Sequence, residues 1–215
     1  MAQESGRTPR KGTVEKRQAL LRGARTVFGR EGYARAGIDE IAAEAGVSTR
    51  TLYNHFGGKE NLFREVLIDS AVKVTDAHVV LIERHLGKVT DVEADLLALA
   101  REWMGRRGDH EPHMLLVRHI ISEGSHLPAD VIEEWQRIGP RGTAGAVRTA
   151  LLRLGEQGHL AVDEDNSAEA ARHFLLLIPG SVTVDTFFGV VPMSADEVDA
   201  RVRSGLAVFL KLYAR

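Results

Sequence analysis

Ser48, Thr49, Arg50, Tyr53, Asn54 and His55 stand within eight consecutive positions and offer one kind of chemistry. Every one of them donates or accepts hydrogen bonds, and no nucleophile–base–orienter set accompanies them anywhere in the chain, so recognition rather than catalysis is the chemistry on offer. Gathered on one face of a helix, such groups suit base edges and phosphate oxygens of a duplex. An Arg in the groove most often reads guanine through its two acceptors, while hydroxyls, phenols and imidazoles meet the backbone.

Something must hold those side chains outward, and the surrounding residues, IDEIAAEAGVSTRTLYNHF over 38–56, are patterned to do it. Ile38, Ile41, Ala42 and Ala45 fall at i, i+3, i+4 and i+7 and give a first helix one apolar face. Gly46 suits a left-handed stop, Val47 plugs the corner, and Ser48 caps a second helix. On that helix Leu52 and Phe56 are four apart and point inward, leaving the polar set on the outside. Two helices joined through so short a turn make a helix-turn-helix, which places its second helix in a major groove. A helical corner is also common in ordinary all-α proteins, so the neighbouring sequence decides.

A further helix precedes the motif, over 14–31, with Thr13 as its cap, a stripe of Leu20, Leu21, Ala24, Val27 and Phe28, and Gly32 as its end. The first thirty residues hold eight Lys and Arg against Glu4 and Glu15, whereas the whole chain carries a net charge of −2. Such asymmetry points to a polyanionic partner, each neutralised phosphate releasing condensed counterion. Residues 1–12 read as a flexible basic arm.

From Val14 to Leu67 the chain resembles the DNA-binding domain of the TetR/AcrR family of bacterial regulators, most specifically in GVSTRTLYNHFGGKENL over 46–62. The resemblance implies that the helix from Thr49 to His55 is a recognition helix, with Arg50, Thr49 and Asn54 toward base edges and Tyr53, His55 and Ser48 toward phosphates. Lys59 would contact the backbone from the start of the next helix, and Lys16 or Arg17 would do so from the flank. The family usually has Thr or Ser where this chain has Gly37, which offers no hydroxyl to a phosphate.

The remainder reads as helix after helix, without sustained period-two alternation, so the expected fold is all-α: an arm over 1–12, a helix-turn-helix domain over 13–58 and a larger helical domain over 59–215. One long helix is expected over 59–86. Others follow over 91–107 with a Thr90/Glu93 capping box, 112–124, 128–157 kinked at Pro140, 167–189 bent at Pro179, and a last one capped by Ser194 and Glu197. The family implies a small-molecule effector pocket in the larger domain. Trp103, Met104, Met114, Leu115, Arg118, His119 and Trp135 are its candidate lining, being large and apolar with a few polar groups. The last two helices are apolar round much of their surface, and the resemblance makes them a two-fold dimer interface through Phe174, Leu177, Val182, Phe187, Val202, Leu206 and Phe209. The expected protein is therefore a homodimeric, effector-released repressor on a palindromic operator, with an activator or a low-specificity DNA binder as alternatives.

No Cys occurs, which excludes disulfides and thiolate chemistry. The polar, basic N-terminus has no secretory pattern and no apolar run spans a bilayer, so a cytoplasmic, nucleoid-associated protein without a membrane partner is expected. His110 and His113 straddle Pro112 and do not share a helical face, and GPRGTAG over 139–145 lacks the spacing and Lys of a phosphate loop. No metal, cofactor or catalytic residue is expected.

Overall fold

A computed structural model describes residues 11–105 and 111–215, which are helices and their connections, with no strand among them. The basic arm over 1–12, except for its last two residues, and His110 lie outside the described residues. In order come α1 (Lys11–Arg35), α2 (Ile38–Glu44), α3 (Thr49–Phe56), α4 (Lys59–Leu86), α5 (Val92–Gly105), α6 (Glu111–Glu123), α7 (Ala129–Ile138), α8 (Pro140–Glu156), α9 (Ser167–Leu175), α10 (Ser181–Asp185) and α11 (Ala195–Tyr213). They gather into two compact units. The chain through Asp69 forms the first together with Leu115–Leu127, and Ser70–Met114 with Pro128–Arg215 forms the second. Both α4 and α6 therefore contribute residues to each unit.

In the first unit the apolar stripes meet as their periods require. Leu20, Leu21, Ala24, Val27 and Phe28 of α1, Ile41 and Ala42 of α2, Leu52 and Phe56 of α3, and Leu62, Phe63, Val66 and Leu67 of α4 are all buried. Each large side chain so removed from water contributes roughly 1.5–3 kcal/mol before ordering costs. Phe28 and Phe63 meet edge to face at 5.0 Å. A Cβ on Gly23 would stand 2.9 Å from the Ala45 backbone nitrogen, so the absence of a side chain there sets how closely α1 and the end of α2 approach. The N-terminal helix departs from expectation at both ends. It is already helical at Lys11, ahead of Thr13, and Gly32 (φ 79, ψ 175) breaks rather than ends it, with helical residues continuing to Arg35.

The second unit is built round Leu81, Ile82, Leu86, Leu96, Leu99, Trp103, Leu151, Leu154, Phe174, Ile178, Val202, Leu206 and Phe209. The expected helix over 128–157 is two helices. Gly139 adopts φ −78, ψ −89 after α7, and Pro140, which has no N–H to give, begins α8 where none is needed. The helix over 167–189 is bent at Pro179 as expected but is shorter: a π turn over Leu176–Gly180 joins α9 to α10 with right-handed helical residues at both junctions, and the segment ends on Phe187 (φ 46) and Phe188 (φ 56), both left-handed. Gly205 of α11 lies directly against the Leu177 carbonyl of that turn. The Ser194–Glu197 capping box is formed. The Thr90–Glu93 pair is not: the Asp91 carboxylate accepts from the Ala94 amide and Asp95 accepts from the amides of Thr90 and Asp91. No helix among the described residues is long and apolar enough to cross a membrane, and no group of three metal-ligating side chains occurs among them.

Candidate nucleic-acid interface

The corner between α2 and α3 is made by the residues its sequence singles out. Gly37 precedes α2 in an extended conformation without a side-chain cap. Gly46 takes φ +66, a conformation L side chains rarely adopt. Ser48 Oγ accepts the Thr51 amide at 3.2 Å and lies 2.9 Å from Thr51 Oγ1. Gly57 (φ 72) stops α3 in the left-handed region.

Between those stops, burial divides the helix cleanly. Leu52 and Phe56 are 0% and 4% exposed, while Arg50, Tyr53 and Asn54 face solvent and Thr49, Thr51 and His55 are half-buried. A groove of about 630 Å³ runs beside this face, lined by Gly12, Thr13, Lys16, Thr51, Asn54 and His55. The start of α1 thus adds Thr13 and the exposed Lys16 to the polar set of α3. Sequence reasoning had Lys16 as a flanking cation but missed Thr13, which it assigned to a cap. The position of Thr13 one turn before Lys16 was the signal available.

Two expected backbone cations have partners within the first unit. Arg17 forms an ion pair with Glu65, and its guanidinium lies 5.3 Å from the Phe56 ring centroid. Lys59 donates to the Ala34 carbonyl at 3.1 Å with its ammonium 4.8 Å from the Tyr33 ring centroid. Burial holds the Lys59 pKa below the usual lysine value, opposed by the negative charge of Glu123.

The expected effector lining is divided between the two units. Leu115, Arg118 and His119 belong to the first unit, where His119 Nε2 donates to the Gly29 carbonyl at 3.1 Å, because the amphipathic half of α6 beyond Met114 packs there. The other four belong to the second unit. Trp103 stacks on His78 at 4.1 Å, and His78 Nδ1 lies 3.5 Å from Thr143 Oγ1. Met104 floors a cleft of about 440 Å³ with Met193, Val198 and Val202, rimmed by Arg101 and Asp199. Met114 lines a separate cleft of about 170 Å³ with Thr186 and Val191. Trp135 is buried beside Gly139, its indole N–H without a hydrogen-bond partner among the described residues.

The dimer expectation also needs correction. Phe174, Val182, Val202, Leu206 and Phe209 are at most 3% exposed inside their own subunit, and Leu177 is only partly exposed, its carbonyl against Gly205. Their apolar stripes face one another, because α9, α10 and α11 pack together before any partner arrives. Of the expected set Phe187 alone is open, at 67%. The exposed apolar groups of these helices are instead Leu176, Val184, Phe187, Val208 and Leu212.

A polar-faced second helix on a buried corner, joined to a larger helical unit, defines a helix-turn-helix DNA-binding protein. Residues 20–66 match the family model for bacterial regulatory proteins of the tetR family, and residues 95–215 match that for the C-terminal domain of AefR-like transcriptional repressors. The chain belongs to the TetR family of transcriptional regulators. It is 51% identical over 53 residues to the HTH-type transcriptional activator FasR of Mycolicibacterium smegmatis, a match covering 25% of this chain and 24% of FasR. The chain spans between about a quarter and a half of the length of the curated relatives it matches. A TetR-family transcriptional regulator from Mesorhizobium loti shares the fold at TM-score 0.85 and 24% identity, over 96% of this chain and all of that one. The flavonoid-responsive regulator FrrA aligns at TM-score 0.67 and 26% identity, over 94% and 98% of the two chains.

Proposed function

We propose that this regulator is a homodimeric repressor that binds a two-fold symmetric operator in the cytoplasm and is released by a small molecule held in its larger domain. The reading treats residues 13–58 as the DNA-binding domain and 59–215 as the effector-binding and dimerisation domain. One observation carries it: α3 buries Leu52 and Phe56 and turns Arg50, Tyr53 and Asn54 to solvent. On this reading Arg50, Thr49 and Asn54 face base edges. Ser48, Tyr53, His55 and Lys16 face phosphates, and Arg17 and Lys59 reach the backbone only by leaving their internal partners.

The match to an AefR-like repressor domain supports repression. The 51% identity to an activator over 53 residues favours activation as the second reading. FrrA is described as flavonoid-responsive, which supports a small-molecule effector here. The unpartnered Trp135 N–H supports a ligand in the second unit, because a buried donor left without an acceptor costs about 1–3 kcal/mol. Release requires only that the effector prefer the DNA-incompetent state, typically by about 1–3 kcal/mol.

Selection of bound sequences from random duplex DNA tests the reading. A palindromic consensus is expected, its half-sites about one helical turn apart. Recovery of no preferred sequence would leave only a non-specific binder.

A further inference from the structure

The break in α1 at Gly32 exposes backbone groups that an unbroken helix would pair, and α6 meets them. Glu123 Oε2 accepts the Ala34 amide at 2.9 Å. One turn earlier on α6, His119 Nε2 donates to the Gly29 carbonyl at 3.1 Å. The two side chains face each other, with His119 Nδ1 3.4 Å from Glu123 Oε1, and they are only 22% and 17% exposed. A Cβ on Gly32 would collide with Glu123 Oε1 and stand 2.8 Å from His119 Nδ1, so the glycine leaves the space that the pair fills. The same short segment receives α4 from the other side, where Lys59 donates to the Ala34 carbonyl. Ala34 is thus held by its N–H from α6 and by its carbonyl from the first residue of α4, immediately after the stop that ends α3.

We infer that His119 and Glu123 are positioning residues of the DNA-reading unit: by gripping the broken end of α1, α6 fixes the seat on which α2, α3 and the start of α4 are set. The inference rests on the reading of α3 as the recognition helix. On this inference any effect of either residue on DNA binding passes through the backbone it holds.

The test uses the full chain and the operator found by selection. Glu123→Ala removes the acceptor, Glu123→Gln keeps one, and His119→Ala removes the other half of the grip. Amide exchange without DNA should show Ala34 protected in the native protein, rapidly exchanging in Glu123→Ala and protected again in Glu123→Gln, with the amides of Leu52 and Phe56 unchanged throughout. Operator affinity should fall roughly three- to thirty-fold in Glu123→Ala and His119→Ala. The slope of log affinity against log salt should stay as in the native protein, because no phosphate contact is lost. Recovery of affinity in Glu123→Gln completes the expectation. Unchanged Ala34 exchange in Glu123→Ala would overturn the grip itself. Freed exchange with unaltered affinity would overturn its positioning role. A native protein that selects no operator, yet shows the expected exchange pattern, would instead sink the reading of α3.

Discussion

Arg50 and Lys16 are both exposed cations beside α3, yet they should fail in different ways when removed. Arg50 lies in the first turn of α3, and on the proposed reading its guanidinium reaches base edges. Arg50→Ala is expected to cost about 1–3 kcal/mol and to relax preference at one base position per half-site. Lys16 lies on α1 at the wall of the groove, and on the proposed reading it meets the backbone. Lys16→Ala should weaken all duplexes alike and reduce the salt slope by about one. Binding titrations over a salt series, with the consensus and with single-base variants, separate the two; an equal loss on every sequence for Arg50→Ala would make it a phosphate contact. A second residue-scale expectation concerns Asp199, whose carboxylate takes Arg101 at 2.6 Å and Arg203 at 2.7 Å. Those hydrogen bonds, from Arg101 first, lower its pKa from the ordinary 3.8 to about 2. A carboxylate so depressed adds stability above its unfolded pKa and loses it as pH falls through the folded one. Asp199→Asn should therefore melt below the native protein at neutral pH, and the gap should close as pH is lowered from 3.8 through about 2. A gap that persisted to the acid end would mean that the α5–α11 ion pair is not its source.

At the scale of the element, two glycines inside helices make opposite predictions. Nothing lies within 4 Å of a Cβ on Gly145 of α8, so Gly145→Ala should gain up to about 1 kcal/mol from helix propensity alone. Gly205 of α11 presses on the Leu177 carbonyl, a backbone atom that cannot swing aside, so Gly205→Ala should lose about 1–3 kcal/mol despite the same propensity gain. Denaturant unfolding of both variants decides, and equal midpoints would contradict the tight α11 crossing. The pair also shows what the sequence could and could not announce. Helical periods placed α2, α3 and α4 correctly, because their stripes and caps are local: Ser48, Gly46 and Leu52 each declare their role within one turn. Gly145 and Gly205 look alike in sequence, since what distinguishes them is a carbonyl nearly thirty positions away. For the same reason Pro140 reads as a bend although it starts a new helix. The missed Asp91 cap belongs to a competition between neighbouring acceptors that spacing alone does not rank. The polar, exposed face of α3 was legible from its period. The partnering of Arg17 and Lys59 was not, because Glu65, Phe56, Tyr33 and Ala34 meet them only in the folded unit.

At the scale of the whole molecule, burial reassigns the surface a second copy would cover. An apolar stripe in sequence does not say whether it meets its own chain or another. Here the stripes holding Phe174, Val182, Val202, Leu206 and Phe209 are consumed internally. What remains on α11 is a row four residues apart, Ala200, Ser204, Val208 and Leu212, small at one end and apolar at the other, and all exposed. Leu176, Val184 and Phe187 add three more large apolar groups, each more than 60% exposed. Phe187 and the neighbouring Phe188 are both left-handed, a conformation that is costly for aromatic residues and sets Phe187 outward. An isologous contact through this surface would bury these groups against their own copies. Val208→Asp places a charge within the row and is expected to give a folded monomer by sedimentation. Val80→Asp, on an exposed position of α4 outside the row, serves as the control and should remain dimeric. The consequence for DNA follows from linkage of two half-sites: a dimer binds its second half-site at an effective concentration set by the first, worth on the order of 10²–10⁴ in affinity. The monomeric variant should lose about that factor on the palindrome while binding an isolated half-site as the native protein does. Should Val208→Asp stay dimeric and keep full operator affinity, the two-fold axis runs through some other face of the second unit.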